Sequence, residues 1–246
     1  MRWRDFGWGM LTTLLLWQLL SWAIGRPVFP PPTKVLAAFA QNILGDLGRH
    51  FLISAWRVSA AVSLSVVAAV PLGLGLGQIS ALDRFFAPLI YIVYPIPKIV
   101  FLPIILVLLG SGDVSKIFLI ALILFFQVLV VVRDAAAGLR PELILSVRSI
   151  GAGRRALYRY VYFPAVIPAV LTALRISVGT AIAVLFIAES FATTSGLGYY
   201  IITETWGALK YPQMYSGVLA MSLLGLLLYF AVDTLDRHLC PWRDAK

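Results

Sequence analysis

Charged side chains and cysteine are scarce in this sequence. Charged residues make up only 13% of its 246 residues, and cysteine occurs once, at Cys240. A single cysteine excludes an intramolecular disulfide and any metal site built on several cysteines. The two histidines, His50 and His238, stand far apart, and isolated histidines are typical of surface or interface positions. The sequence contains no Walker A motif, HExxH or GxSxG. We therefore expect no enzyme active site, no bound cofactor and no metal, so any energy that the protein uses must come from outside this chain.

What the sequence has in abundance is long apolar runs. Hydrophobic residues make up 61% of the chain, and the mean hydropathy is +0.92. A run of about 20 apolar residues crosses the roughly 30 Å of a bilayer core as a helix. We predict an all-α membrane protein with one domain over residues 1–246. The predicted spans are residues 6–24, 52–79, 86–109, 114–132, 164–188 and 214–235.

The distribution of basic residues predicts the orientation of these spans. Segments on one side hold Arg2, Arg4, Arg84, Arg133, Arg140, Arg148, Arg154, Arg155, Arg159, Arg237, Arg243 and Lys246, whereas the loops on the other side hold Arg26, Lys34, Arg49, Lys116 and Lys210. Cytoplasmic segments are the ones enriched in Lys and Arg. Both termini are thus expected in the cytoplasm. The net charge of +9 is then explained by the basic residues that orient the spans, and we expect no nucleic-acid partner.

Proline and glycine divide the spans further. Prolines at 27, 30, 31 and 32 end the first helix, and Thr33 is expected to cap a short amphipathic helix over residues 34–44. Gly73, Gly75 and Gly77 favour close helix packing over nucleotide binding, because no strand precedes them. Pro88, Pro95, Pro97 and Pro103 must kink or break the third span, which leaves backbone carbonyls in need of partners. Residues 110–116 are expected to form an outer turn.

One hydrophilic segment, residues 133–163, interrupts the apolar runs and carries six arginines against two acids. Pro141 and Glu142 suit a helix N-terminus, and Gly151 suits its left-handed end. A second helix is expected from Arg154 to Phe163–Pro164. Two short helices that meet at Gly151 would form a compact knob, residues 142–160. The apolar face of the first helix consists of Leu143, Ile144, Val147 and Ile150. The alternative is that this face rests on acidic lipid headgroups.

Charged residues inside spans are candidates for function. Lys98 stands in the broken third span, where it would meet either an anionic solute or the carbonyls that the prolines free. Arg57 and Arg175 lie nearer the ends of spans, where they are expected to snorkel to the interface or to form structural ion pairs. Glu189 would pair with an arginine or belong to a gate, and Tyr94 is more typical of packing than of a solute cage.

Several blocks of the sequence resemble the nitrate/sulfonate/taurine-type permeases of ABC importers. They include VFPPPTKVLAAF, YPIPKIVFLPIILVLLGSGDVSKI and ESFATTSGLGYYI, and together they cover nearly the whole chain. Gly151 and the run Val161–Pro164 are similar to the EAA loop of that family. The positions of the motif's Glu-Ala-Ala hold Leu145, Ser146 and Val147, so its glutamate is missing.

The resemblance implies a type I importer fold in which this loop supplies a coupling helix to a cytoplasmic ATPase dimer. The residues that it assigns to coupling are Glu142, Leu145, Ser146, Val147, Arg148, Gly151, Ala152, Arg154, Arg155 and Pro164, and the candidates for the translocation path are Tyr94, Pro97, Lys98 and Glu189. ATP and Mg would bind to the ATPase. A second permease, expected to be identical, and an extracytoplasmic solute-binding protein would complete the importer, which the resemblance places in the inner membrane of a bacterial cell. The implied solutes are sulfonates, taurine, nitrate or vitamin precursors.

Two other hypotheses have no need of that ATPase. An ion-coupled secondary transporter usually shows inverted repeats and carboxylates in mid-span, and neither is apparent in this sequence. A membrane scaffold that recruits a partner has no use for a proline-broken helix. The sequence therefore favours the importer permease.

Overall fold

The computed structural model describes residues 3–243, and every regular element in that range is helical. Arg2 and Lys246, which entered the topology prediction, lie outside the described residues. The chain divides into two compact units, one of Met1–Ala55 with Glu189–Leu224 and one of Trp56–Ala188 with Gly225–Lys246. The expectation of one membrane domain stays a prediction, and the units are described separately below.

Among the described residues, five helices are long and apolar enough to cross a membrane, and the count is six when a bent pair of shorter helices is taken as one broken span. On that count the prediction of six spans is confirmed. The five long helices are α1 (Trp3–Ile24), α3 (Asp46–Gln78), α6 (Asp113–Ala137), α9 (Phe163–Ser190) and α10 (Tyr211–Leu239). Most of them extend beyond the predicted apolar cores, because polar residues can continue a helix where headgroups and water solvate them.

In the first unit, the proline-rich segment lies against α1. Trp17 Nε1 donates to the Pro30 carbonyl at 3.1 Å, and Ser21 Oγ donates to the Phe29 carbonyl at 2.9 Å. Helix α2 follows at Pro32–Asn42. The prediction that Thr33 caps it was wrong, because the cap position is Pro31 and a proline starts the helix one residue before Thr33. Proline fits the first helical position, since the N–H that it lacks has no intrahelical partner there.

In the second unit, the third span is broken as its prolines predicted. Helix α4 (Ser80–Val93) and the stretch Lys98–Leu109, which ends in α5 (Leu102–Leu109), meet at an angle of 77°. Pro95 and Pro97 lie in the break, whereas Pro103 lies in the first turn of α5 and Pro88 lies inside α4. Only the prolines between the two arms therefore end a helix.

Two of the three clustered glycines pack α3 against α6 as predicted. A Cβ added at Gly73 would lie 2.8 Å from Val132 Cβ, and one at Gly77 would lie 2.5 Å from the Arg133 carbonyl oxygen. Gly75 has open space instead, because no atom lies within 4 Å of an added Cβ. The close approach is fastened by Gln78 Nε2, which donates to the Ala136 carbonyl at 2.5 Å.

The hydrophilic segment starts later than predicted, since α6 continues to Ala137. Arg133 belongs to that helix and pairs with Asp83 of α4, through Nε–Oδ1 at 2.5 Å and Nη2–Oδ2 at 3.0 Å. After it come α7 (Pro141–Ser149) and α8 (Arg154–Leu157). Arg133 therefore lies in a helix, not in a loop, and its ion pair joins the end of α6 to α4.

Proline 164 does not end the second helix of the segment, which corrects that prediction. A π-helical turn, Tyr158–Tyr162, joins α8 to α9, and the helix runs unbroken from Arg155 to Ser190. In this turn the Phe163 N–H bonds to the Tyr158 carbonyl. The wider turn changes the hydrogen-bond register just before Pro164, so the missing proline donor is accommodated.

Candidate functional site

The knob carries its apolar side chains on the surface. Leu145 is 62% exposed and Ile150 is 83% exposed, and no residue of α7 is buried. Helix α7 lies outside the candidate membrane spans, so these side chains are not explained by lipid contact within a span. An exposed apolar patch rimmed by polar residues is typical of an interaction surface.

Gly151 gives the knob its turn. Its φ is +86°, a left-handed conformation that favours glycine. The Gly151 N–H donates to the Arg148 carbonyl at 2.9 Å, and the Ala152 N–H donates to the Val147 carbonyl at 3.4 Å. These bonds satisfy carbonyls at the end of α7 and fix the direction in which α8 begins. The predicted left-handed terminator is confirmed.

The residues assigned to coupling spread over both arms of the knob. Glu142 lies in the first turn of α7 and forms an ion pair with Arg140 at 3.6 Å. Leu145, Ser146, Arg148 and Arg155 are exposed, while Val147, Ala152 and Pro164 are partly buried, and Arg154 begins α8. Exposed arginines on the knob are also compatible with acidic headgroups, so that alternative stays open.

Lys98 lies at the break of the third span and is buried, with 8% of its surface exposed. Its Nζ donates to the Val93 carbonyl at 3.0 Å and to the Tyr94 carbonyl at 2.6 Å. The Val93 carbonyl is the one that residue 97 would serve in a continuous helix, and Pro97 has no N–H to give. Of the two roles expected for Lys98, the structure shows the hydrogen bonds to carbonyls at the proline break.

Glu189 belongs to a polar cluster in the first unit, which we define as His50, Ser54, Glu189, Glu204 and the backbone of residues 196–198. The Glu189 carboxylate is fully buried. Ser54 Oγ donates to it, with its two oxygens at 2.7 and 2.9 Å, and the Gly198 N–H donates at 3.1 Å. Buried carboxylates persist in proteins when such donors replace water.

His50 completes the polar cluster. Its Nδ1 accepts the Gly196 N–H at 2.9 Å, and its Nε2 lies 3.3 Å from Glu204 Oε1. Because Nδ1 is the acceptor, the ring proton lies on Nε2 and faces the glutamate. The neighbouring Tyr200 ring lies 5.6 Å away, and burial raises the pKa of its phenol. The sequence reading, which treated both histidines as isolated surface or interface residues, was wrong for His50.

Gly196 is the point where the loop approaches Glu189. Its φ is +110°, and a Cβ added there would overlap the Glu189 carboxylate. The loop therefore folds over the carboxylate only because residue 196 lacks a side chain. The sequence gives one signal for this, the SGLG run next to the only acid at the end of α9.

Arg57 and Arg175 form structural ion pairs, which is one of the two roles predicted for them. Arg57, which is 2% exposed, bonds Asp113 Oδ1 through Nη2 at 2.6 Å. Arg175 Nη2 lies 2.9 Å from both Asp233 Oδ1 and Asp236 Oδ2. Among the described residues, no group of three or more His, Cys, Asp or Glu side chains is arranged to hold a metal ion.

Comparison with known proteins gives a consistent picture. Residues 61–244 match the family described as binding-protein-dependent transport system inner membrane component. The taurine transport system permease protein TauC of Escherichia coli is 29% identical over 243 residues, which cover 95% of this chain and 88% of TauC. The putative aliphatic sulfonates transport permease protein SsuC of Bacillus subtilis is 27% identical over 250 residues, with 98% and 90% covered.

A solved structure shares the fold. A chain from the inward-facing MetNI methionine ABC transporter superposes with a TM-score of 0.66 at 21% identity. The match covers 78% of this chain and 95% of the other. At that identity the likeness establishes the arrangement of helices and nothing about the solute.

Proposed function

This chain belongs to the family of binding-protein-dependent transport system inner membrane components, and from that premise we propose that it forms the solute path of an ATP-driven importer. It is a multi-pass inner-membrane permease of the ABC transporter class. In this importer a separate cytoplasmic ATPase would bind the knob and drive transport. The observation that carries it is the exposed apolar face of α7, which a rigid turn at Gly151 joins to a long membrane helix.

The proposed solute is a small anion of the sulfonate or taurine type. Taurine and aliphatic sulfonates are named for the two relatives above. The ammonium of Lys98 lies at the break between the two arms of the third span. A buried positive charge next to non-helical backbone is the kind of group that lines an anion path. Tyr94, Pro97 and Glu189 are the other residues that we propose for this path.

The proposed partners follow from the same family. A cytoplasmic ATPase dimer, with ATP and Mg on its own residues, would hold the knob. A second copy of this chain would complete the path, and an extracytoplasmic binding protein would deliver the solute. In this arrangement both termini and the knob face the cytoplasm, in line with the clustering of basic residues.

Two connections in the second unit would transmit movement of the knob to the membrane spans. The π-helical turn joins α8 to α9 without a break, so movement of the knob reaches that span directly. On the other side, the Arg133–Asp83 pair and the close packing at Gly77 join α6 to α3 and α4. Closure of the ATPase would thus shift several spans together, and the path would alternate between outward-open and inward-open states.

The test is a Gly151→Val variant. A β-branched side chain is strongly disfavoured at a φ of +86°, so the angle between α7 and α8 must change. We expect the variant to lose most of the ATPase that copurifies with the wild type and most of the solute-stimulated ATP hydrolysis. Gly153→Ala is the matched control, because Gly153 has an ordinary φ and no atom within 4 Å of an added Cβ.

Wild-type behaviour of Gly151→Val in both assays would refute the role of the knob. Uptake that persists in cells lacking any partner ATPase would indicate a secondary transporter instead. A variant that does not fold would also fail both assays. The amount of purified, monodisperse Gly151→Val is therefore first compared with that of Gly153→Ala.

A further inference from the structure

The knob and the two residues before it carry far more positive than negative charge. Residues 140–160 contain one acid, Glu142, against five arginines, Arg140, Arg148, Arg154, Arg155 and Arg159. Glu142 pairs with Arg140 at 3.6 Å, and both side chains are exposed. Among the described residues, no carboxylate pairs with Arg148, Arg155 or Arg159. Their charges are therefore available to a partner.

Other arginines on the predicted cytoplasmic side have acidic partners within the chain. Arg133 pairs with Asp83 at 3.0 Å, and Arg237 pairs with Asp233 at 2.9 Å. The rule that places basic residues in the cytoplasm accounts for their side of the membrane, and it holds for paired and unpaired residues alike. Membrane topology alone therefore does not explain why three exposed arginines of the knob lie close in sequence without a carboxylate partner.

Two of these arginines stand on either side of the turn that shapes the knob. Arg148 follows Leu145 by three residues in α7, and residues at that spacing are neighbours on one face of a helix. The Arg148 carbonyl accepts the Gly151 N–H at 2.9 Å, so the turn fixes its backbone. Arg155 is exposed in α8, beyond the turn. The knob thus presents the exposed side chains of Leu145 and Ile150 together with a guanidinium on each arm.

Such a surface fits a partner of matching chemistry. Protein interfaces commonly have an apolar centre and a polar rim that stays accessible to solvent. Apolar anchors contribute much of the affinity, whereas complementary charges at the rim speed the approach of the two proteins. A guanidinium forms paired hydrogen bonds with a carboxylate. The surface complementary to the knob is therefore an apolar cleft with carboxylates at its edge.

We propose that the knob docks into a cleft of the ATPase that has an apolar floor and a rim of aspartate or glutamate side chains. Leu145 and Ile150 contact the floor, and Arg148 and Arg155 pair with the rim. The inference deepens the proposed function and rests on it, because the ATPase is the partner proposed there. It adds that the ATPase is acidic at this surface and that attraction between opposite charges accelerates its association with the knob.

The test measures how fast the ATPase that copurifies with the wild-type permease rebinds to it after separation. The permease is held in nanodiscs of neutral phosphatidylcholine, so that lipid charge plays no part, and rate constants are measured at about 50 mM and about 500 mM NaCl. We expect the association rate constant to fall by about tenfold or more at the higher salt, because attraction between exposed charges is then screened. The dissociation rate constant should change by less than about threefold.

Four variants separate the charged rim from the apolar centre. Arg148→Glu and Arg155→Glu, one on each arm, should each lower the association rate constant at low salt by about tenfold and weaken its salt dependence. Arg84→Glu is the matched control, because Arg84 is an exposed arginine of α4 outside the knob, and it should stay within about twofold of the wild type. Leu145→Ser should raise the dissociation rate constant and leave the salt dependence of association unchanged.

Association that is insensitive to salt and to both arginine variants would overturn the inference, and faster association of these variants would do so too, since it would indicate a basic rim. An effect of the arginines that arises only after phosphatidylglycerol is added to the nanodiscs would assign them to lipid headgroups instead. These outcomes are distinguishable from failure of the proposed function. If no ATPase copurifies with the wild type, the importer itself is wrong, whereas an ATPase that binds without charge dependence leaves the importer standing and removes only the acidic rim.

Discussion

The polar cluster buries ionisable side chains, whereas the knob exposes apolar ones. In the polar cluster, the ionisable side chains of His50 and Glu189 are buried, and donors and acceptors from the same unit serve them. In the knob, the apolar side chains of Leu145 and Ile150 are exposed. A buried carboxylate is tolerated only when its bonds are made, whereas an exposed apolar patch costs little until a partner covers it.

The difference shows which of the two regions has all of its contacts supplied by this chain. The polar cluster needs nothing from outside, so changes in it should act on the stability of the chain itself. Under the proposed function the knob binds a partner, so changes in it should act on assembly and leave the chain folded. Three variants test this contrast, and we order them by their expected effect on the free energy of unfolding.

The largest effect is expected from Gly196→Ala. The new Cβ would meet the Glu189 carboxylate, and the φ of +110° strains any residue other than glycine. These two penalties together should lower the free energy of unfolding by about 3 kcal/mol or more. Thermal or denaturant unfolding in detergent measures the change. Gly179→Ala is the control, because an added Cβ there has no atom within 4 Å. Equal stability of the two variants would mean that the loop is free to move away from Glu189.

A smaller loss is expected from Ser54→Ala. Ser54 Oγ accepts the Leu197 N–H at 2.8 Å and donates to Glu189, so its removal leaves two buried groups each short of one bond. We expect a cost of about 2 kcal/mol in the same unfolding assay. Ser63→Ala, in the same helix, removes an exposed hydroxyl that bonds only to the Ser59 carbonyl, and it should cost less than about 0.5 kcal/mol. A Ser54 variant as stable as the Ser63 variant would show that the polar cluster is not closed.

The smallest change in stability is expected from the double variant Leu145→Ser and Ile150→Ser. Both side chains are exposed, so the free energy of unfolding should change by less than about 0.5 kcal/mol. Copurification of the ATPase should nevertheless fall at least about tenfold, since apolar anchors at the centre of an interface contribute 1–2 kcal/mol or more each. Leu44→Ser changes another exposed leucine, 98% exposed and outside the knob, and should leave the ATPase bound. If the knob variant retains its ATPase, the exposed face serves another surface, such as lipid headgroups.

Local sequence patterns predicted the features that depend on near neighbours. The apolar runs located the spans, the prolines located the break of the third span, and Gly151 was identified as a left-handed terminator. Close packing at Gly73 and Gly77 was predicted from their spacing, although the same spacing wrongly included Gly75. Each of these features is decided within a few residues of the chain, so periodicity and turn chemistry are enough to find it.

The polar cluster was beyond such patterns. Ser54 and Glu189 are 135 residues apart, and His50 is 146 residues from Gly196. Only the tertiary fold brings them together, so the sequence left Glu189 with two possible roles and His50 with none. The continuation of the helix through Pro164 was missed for a different reason, since a π-helical turn has no reliable signature in a single sequence.

The unbroken helix from Arg155 to Ser190 also bears on how the protein fits bilayers of different thickness. Its 36 residues extend about 54 Å, more than the roughly 40–45 Å of a bilayer with its headgroups. Hydrophobic mismatch can therefore be absorbed by tilt without drawing the end of the helix into the lipid. Tyr158, Tyr160 and Tyr162 lie in the π-helical turn near that end, and tyrosines favour the headgroup level. We therefore expect these tyrosines to hold the end of the helix at the headgroup level, so that a thinner or thicker membrane would change the inclination of the helix more than the height of the knob.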